Sequence, residues 1–170
     1  MINPSSNKKF AINFRIPAWS TNYTLTVNGV KQNIISSQSI KVERVWKAND
    51  KVIVRFDMPL QVIKGGSSYP GFIAFKRGPQ VLAFDASLNT GLLKESRLES
   101  EQKFLVGKPE YKSNADLLPK QWIGKQAYTV NIIDRKKNAA KQQLIMVPFA
   151  DASQTGGAIK VWMQLNIANE

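Results

Sequence analysis

Along most of this chain apolar and polar residues alternate with a period of two, the mark of strands with one dry face and one wet face. Phe10, Ile12, Phe14 and Ile16 share one parity, and Ala11, Asn13 and Arg15 the other. Tyr23, Leu25 and Val27 alternate with Thr24 and Thr26. Asn28-Gly29 follows, the strongest short signal for a hairpin turn. In "SIKVERVW", Ile40, Val42, Arg44 and Trp46 fall on one face. "KAND" then reads as a turn, after which Val52, Val54 and Phe56 point inward and Lys51, Ile53 and Arg55 outward. The pattern predicts consecutive antiparallel hairpins.

Two stretches break the alternation. "GFIAFKRGPQVLAFDAS" and "QQLIMVPF" carry apolar residues on both parities, as strands covered on both sides do. In the first, Arg77, Gly78 and Pro79 are expected to interrupt or bulge the run, because proline cannot donate to a ladder. Tyr128, Val130 and Ile132 alternate again, and "GAIKVWMQL" sets Ile159, Val161, Met163 and Leu165 against Lys160, Trp162 and Gln164 after the turn-rich "ADASQTGG". Residues 86–103 are polar and charged, a linker or long excursion with at most a short helix at 91–100. Neither a fixed-period repeat nor start and stop signals for a long helix occur. About eleven short strands with turns every 8 to 12 residues predict an all-β fold, an antiparallel β-sandwich of jelly-roll type, as one sandwich or two small lobes. The organisation expected is a first sandwich portion over 8–85, a linker or excursion over 86–125, and a second set of strands over 126–168.

Composition narrows the chemistry. At 170 residues the chain is long enough to bury a real core. No apolar run approaches the ~18 residues of a membrane span, so no membrane partner is expected. "MINPSSNKKF" lacks the basic-then-apolar layout of a signal peptide. There is no cysteine and no histidine, which removes disulfides, thiolate nucleophiles, and the commonest metal ligand and general base. The net charge of +12 is compatible with anionic partners. The basic residues, however, are scattered singly, as in Lys41, Lys51, Arg55, Lys76 and Lys160. The one tight cluster, "DRKKNAAK" at 134–141, lies between two strand-like runs and reads as a hairpin loop. Solvated strand faces explain this better than nucleic acid, which is not an expected partner.

The aromatic residues are the candidates for binding, since a flat amphipathic ring can stack on a sugar. Trp162 lies opposite Ile159, Val161 and Met163 in strand parity, so it is either an exposed platform or covered by a loop or neighbouring domain. Trp122, in "LPKQWIGKQ", is a lid or a plug, and Tyr69 and Tyr111 complete the candidate carbohydrate-binding set. Trp46 shares a face with Val42 and is expected in the core; Trp19, just past Pro17, is expected to cap a corner and to be more than half buried. Arg44 lies between Val42 and Trp46 on that inward face and needs an acid or carbonyls to offset its burial. The acids Asp57, Asp85, Asp116, Asp134 and Asp151 are isolated, and Glu99 and Glu101 sit in the charged linker. No carboxylate pair in a sugar-site context, P-loop, Ca²⁺ loop or nucleophile elbow is present. The Gly-Gly doublets at 65–66 and 156–157 read as turns, and Asn22-Tyr23-Thr24 is a low-specificity glycosylation sequon.

Five blocks in order, "FAINFRIPAW", "VNG", "VERVWKANDKVIVRFDMPLQV", "GFIAFKRGPQVLAF" and "LIMVPFADASQTGGAIKVWM", resemble the C-terminal β-sandwich region of the family 127 glycoside hydrolases, the β-L-arabinofuranosidases and their relatives. The resemblance spans roughly residues 8 to 165, with 86–125 contributing little. Asn49 stands where the family often has Gly before the Asp, "FDMP" replaces a more usual Leu-Pro-Met form, and Gln80 and Leu82 alter the run after Arg-Gly-Pro. The resemblance implies an upstream (α/α)6 barrel that carries the reaction, with a cysteine nucleophile held near zinc and a glutamate acid/base. None of those motifs is in this chain, so no catalytic residue and no cofactor carries over. What it implies here is an accessory sandwich that packs on and stabilises that barrel in a bacterial, periplasmic or secreted parent, with a plant-type glycan as a further partner. Missing leading strands would leave an open sheet edge, through which two copies could pair.

Overall fold

The computed structural model describes residues 1–33, 38–90, 104–106, 115–134 and 141–167. The chain divides into two compact units, Met1–Pro59 and Leu60–Glu170. Within the described residues the regular structure is strand, with three single 3-10 turns. Of the hairpin loop expected at 134–141 residues 135–140, of the linker or excursion expected at 86–103 residues 91–103, and the whole short helix expected at 91–100 lie outside the described residues.

The first unit holds β1 (Lys8–Arg15), β2 (Tyr23–Val27), β3 (Val30–Lys31), β4 (Ser39–Trp46) and β5 (Val52–Phe56). β1 pairs antiparallel with β4 along its whole length, from Lys8 opposite Trp46 to Arg15 opposite Ser39. A second sheet has the order β3-β2-β5. The inward parities predicted above meet in one core: Leu25 and Val27 from β2 and Ile40, Val42 and Trp46 from β4, flanked by Phe10, Ile12, Phe14, Val52, Val54 and Phe56. Two small sheets sharing one core form a sandwich. Trp46 is fully buried, and its Nε1 donates to the Phe10 carbonyl at 2.9 Å, so its one polar atom is satisfied. β1 stops at Arg15 before Pro17, and Trp19 packs edge-on against Phe56 with ring centroids 6.0 Å apart. Trp19 is more than half buried, as expected of a corner cap. Arg44 lies 5.4 Å over the Trp46 ring, so a cation–π contact holds the half-buried guanidinium.

The second unit holds β6 (Leu60–Lys64), β7 (Ile73–Arg77), β8 (Gln80–Asp85), β9 (Phe104–Val106), β10 (Tyr128–Asp134), β11 (Lys141–Pro148), β12 (Ile159–Lys160) and β13 (Leu165–Ile167). One sheet carries them in the order β13-β9-β10-β11-β8-β7-β6, with β12 added beside β8. All pairings are antiparallel except β13 with β9. Strands β8, β10 and β11 are covered on both faces. Leu82, Phe84, Tyr128, Val130, Ile132, Leu144 and Met146 fill one core with Ile73, Phe75 and Met163. On the other face Val147 and Ala127 pack with Trp122. For β8 and β11 this is the arrangement that apolar residues on both parities announced; the alternating β10 gave no such sign.

One local expectation is refined and one needs correction. Arg77-Gly78-Pro79 interrupts the run as expected, not as a bulge but as the corner of a hairpin between β7 and β8, closed by the Arg77–Gln80 pair. Gly78 has φ of +52°, the left-handed first position of a tight turn, and the fixed φ of proline suits the next. The Arg77 guanidinium lies 5.5 Å over the Tyr128 ring. "GAIKVWMQL", by contrast, reads as one alternating run and is not one strand. Its backbone leaves β8 after Lys160 and changes partner at Met163, which exchanges two hydrogen bonds of 2.8 and 2.9 Å with Ile73. Residues 60–85 thus share a sheet with strands of 128–148, all within the second unit.

Candidate functional site

Tyr69 and Trp162, two of the candidate platform residues, meet although they are far apart in sequence. Their rings stack with centroids 5.3 Å apart and planes 4° from parallel. Tyr69 sits on the β6–β7 loop, "GGSSYPGF". That loop is fixed by its own backbone: Gly65 N–H donates to Phe72 O at 2.9 Å, Tyr69 N–H to Gly65 O at 3.1 Å, and Phe72 N–H to Tyr69 O at 3.1 Å. Only glycine fits at 65, because a Cβ there would collide with the Tyr69 backbone. Phe72 meets the Tyr69 ring edge-on at 6.3 Å. Tyr69 nevertheless keeps 50% of its surface exposed. The ring contacts are the indole on one face and Phe72 at one edge.

Trp162 is half-buried, brought beneath Tyr69 by the backbone exchange of the adjacent Met163 with Ile73. The partner switch at Met163 is therefore what builds the aromatic pair. Parity placed Trp162 opposite its apolar neighbours but gave no hint of Tyr69, because a cross-loop contact leaves no periodic trace.

Trp122 takes the other of its two expected roles. It is 7% exposed and plugs the core it shares with Ala127 and Val147, flanked by Leu88, Leu117 and Leu118. A sugar has no open indole face there. Tyr111 lies outside the described residues. Among the described residues no three His, Cys, Asp or Glu side chains come together.

A buried polar latch went unread in the sequence. Asp85, fully buried, accepts at Oδ1 from Ser87 N–H (2.9 Å) and Ser87 Oγ–H (2.6 Å), and at Oδ2 from Ser153 N–H (2.6 Å). Thr155 Oγ1 donates to Ser87 Oγ at 2.6 Å. A Cβ on Gly157 would run into Asp85 Oδ1 and Ser87 N. Asn89 completes the knot: Nδ2 donates to Asp85 O (2.7 Å) and Ile145 O (2.9 Å), and Oδ1 accepts from Ile145 N–H (2.8 Å). Both carboxylate oxygens are occupied by local donors, and the chain has no histidine to relay a proton. The arrangement pins the "ADASQTGG" loop to β8. Its signal in the sequence was a lone Asp closing an apolar run, with small residues that allow close approach.

The geometry defines an all-β, sandwich-like module with an aromatic pair formed between two loops and a structural carboxylate latch. Comparison with known proteins places it. Residues 1–58 match the family model described as "Beta-L-arabinofuranosidase, GH127 middle domain". Among solved structures, a GH127 β-L-arabinofuranosidase from Geobacillus stearothermophilus T6 superposes with a TM-score of 0.73 at 22% identity, covering 97% of this chain and 27% of that one. A protein described as a glycoside hydrolase gives 0.68 at 21%, covering 96% and 29%. A GH127 β-arabinofuranosidase gives 0.65 at 21%, covering 95% and 28%. No curated protein matches. The likeness to family 127 is thus found in sequence over the first third and in fold over nearly the whole chain. The chain spans little more than a quarter of the solved structures it matches. The matching model is of a middle domain, where the sequence blocks suggested a C-terminal region.

Proposed function

We propose that this chain is a non-catalytic β-sandwich module of a GH127-type glycoside hydrolase, packing against and stabilising a helical catalytic barrel. The observation that carries the reading is the coverage: 95–97% of this chain superposes on solved glycoside hydrolases, two of them described as GH127 arabinofuranosidases, yet accounts for only 27–29% of the matched chains. The remainder of such an enzyme is where its reaction would lie. The lack of any Cys or His agrees, as does the commitment of Asp85, a fully buried acid, to a latch.

A surface suited to a domain partner is at hand in the second unit. Ile123 is 84% exposed and Phe149 53%. Both belong to one loop layer, since Ile123 N–H donates to Gln154 Oε1 at 2.7 Å and Phe149 O accepts from Ala152 N–H at 3.2 Å. Large apolar side chains held on ordered turns are what a neighbouring domain covers. The test of the non-catalytic role is a hydrolysis assay of the 170-residue chain on a chromogenic β-L-arabinofuranoside. Release no faster than the buffer blank is expected; enzyme-like turnover would overturn the reading.

A further inference from the structure

We propose that the exposed face of Tyr69, backed by the Trp162 indole, is a stacking platform for one neutral sugar ring of an oligosaccharide. The inference goes beyond the accessory role and does not depend on whether the module docks on a barrel. Three features carry it. The ring is preorganised: the indole stacks on one face, Phe72 closes one edge, and a hydrogen-bonded loop with an obligatory Gly65 fixes the backbone. A side chain already immobilised loses little entropy on binding.

The exposed apolar surface also has the right size and setting. Between Lys64 and Phe72, Tyr69 is the only large side chain, flanked by exposed Gly66, Ser67, Ser68, Pro70 and Gly71. One aromatic face among hydroxyls is too small for a protein interface, which buries about 800 Å² per partner. It matches a pyranose or furanose ring, whose C–H face is apolar and whose rim is hydroxyl. Finally, a tyrosine offers both parts of such a contact, a flat ring for the C–H face and a phenol that donates and accepts at the rim.

The experiment is an amide NMR titration of the whole chain with arabino-, xylo- and cello-oligosaccharides in turn, each to about 10 mM, a range that captures the weak affinity of a single stacked ring. The proposal expects saturable shifts for at least one series, confined to residues 64–72 and 160–163 and to the Trp162 indole N–H. Tyr69→Ala should weaken binding at least about tenfold, with the remaining spectrum unchanged, whereas Tyr69→Phe, which keeps the ring, should stay within about threefold. No saturable shift with any series, or equal affinity in Tyr69→Ala, would overturn it. Neither result bears on hydrolysis or on domain docking.

Discussion

Asn28 and Asp50 tie together two turns that lie 22 residues apart. The Asn28 amide donates to Asp50 Oδ1 at 2.7 Å, while its Oδ1 accepts from Lys51 N–H at 2.8 Å. Lys47 N–H donates to Asp50 Oδ2 at 2.9 Å. The Asn28 side chain first, and the Lys47 amide second, hold the Asp50 carboxyl below its usual value of 3.8. A depressed pKa in the folded state means that this stabilisation is complete above the usual aspartate value and is lost as pH falls through the depressed one. The melting temperature should therefore drop in acid, below about pH 4. Asp50→Asn should melt lower at neutral pH and show a shallower acid decline; thermal scans from neutral to acid pH check both. Asn49, in the "KAND" turn, has a left-handed backbone with φ of +69°. Asn49→Ala should cost about 1 kcal/mol and Asn49→Gly almost nothing, read by urea unfolding. The Asn28–Asp50 bond itself was not legible, because "VNG" and "KAND" each read as an isolated turn.

Elements were legible where one rule decided them. Alternation fixed the inward faces of β1, β2, β4 and β5, and the Asn28-Gly29 turn, with φ of +50° and +83°, is the doubly left-handed corner that joins β2 to β3. Mixed parity marked β8 and β11 as covered on both sides. What failed was continuity. The chain after Lys160 changed strand partner, since a two-residue period records which way side chains point and not which neighbour the backbone bonds. Two-sided burial makes a kinetic prediction. Amides of β8, β10 and β11 should exchange slowest within the second unit, and those of β12, two residues long with Ile159 39% exposed, should exchange much sooner. Hydrogen exchange read by mass spectrometry or NMR gives the order, and uniform exchange across these strands would contradict the layering described.

At the scale of the molecule, a sandwich, a family likeness and the lack of cysteine were legible in the sequence, but not the aromatic pair or the apolar loop surface. Both depend on loops that carry residues from distant strands together, for which local patterns leave no mark. The module account rests on the disparity between a fold matched over 95–97% of this chain and relatives of which it covers 27–29%. Ile123 and Phe149 are where it is most exposed to test. The decisive measurement is a calorimetric titration of this chain into the helical catalytic barrel that the proposed function gives it as partner. The account predicts saturable association that raises the melting temperature of the barrel, and its loss in an Ile123→Asp, Phe149→Asp variant that retains its own fold. Absence of association, with the barrel melting unchanged, would contradict it.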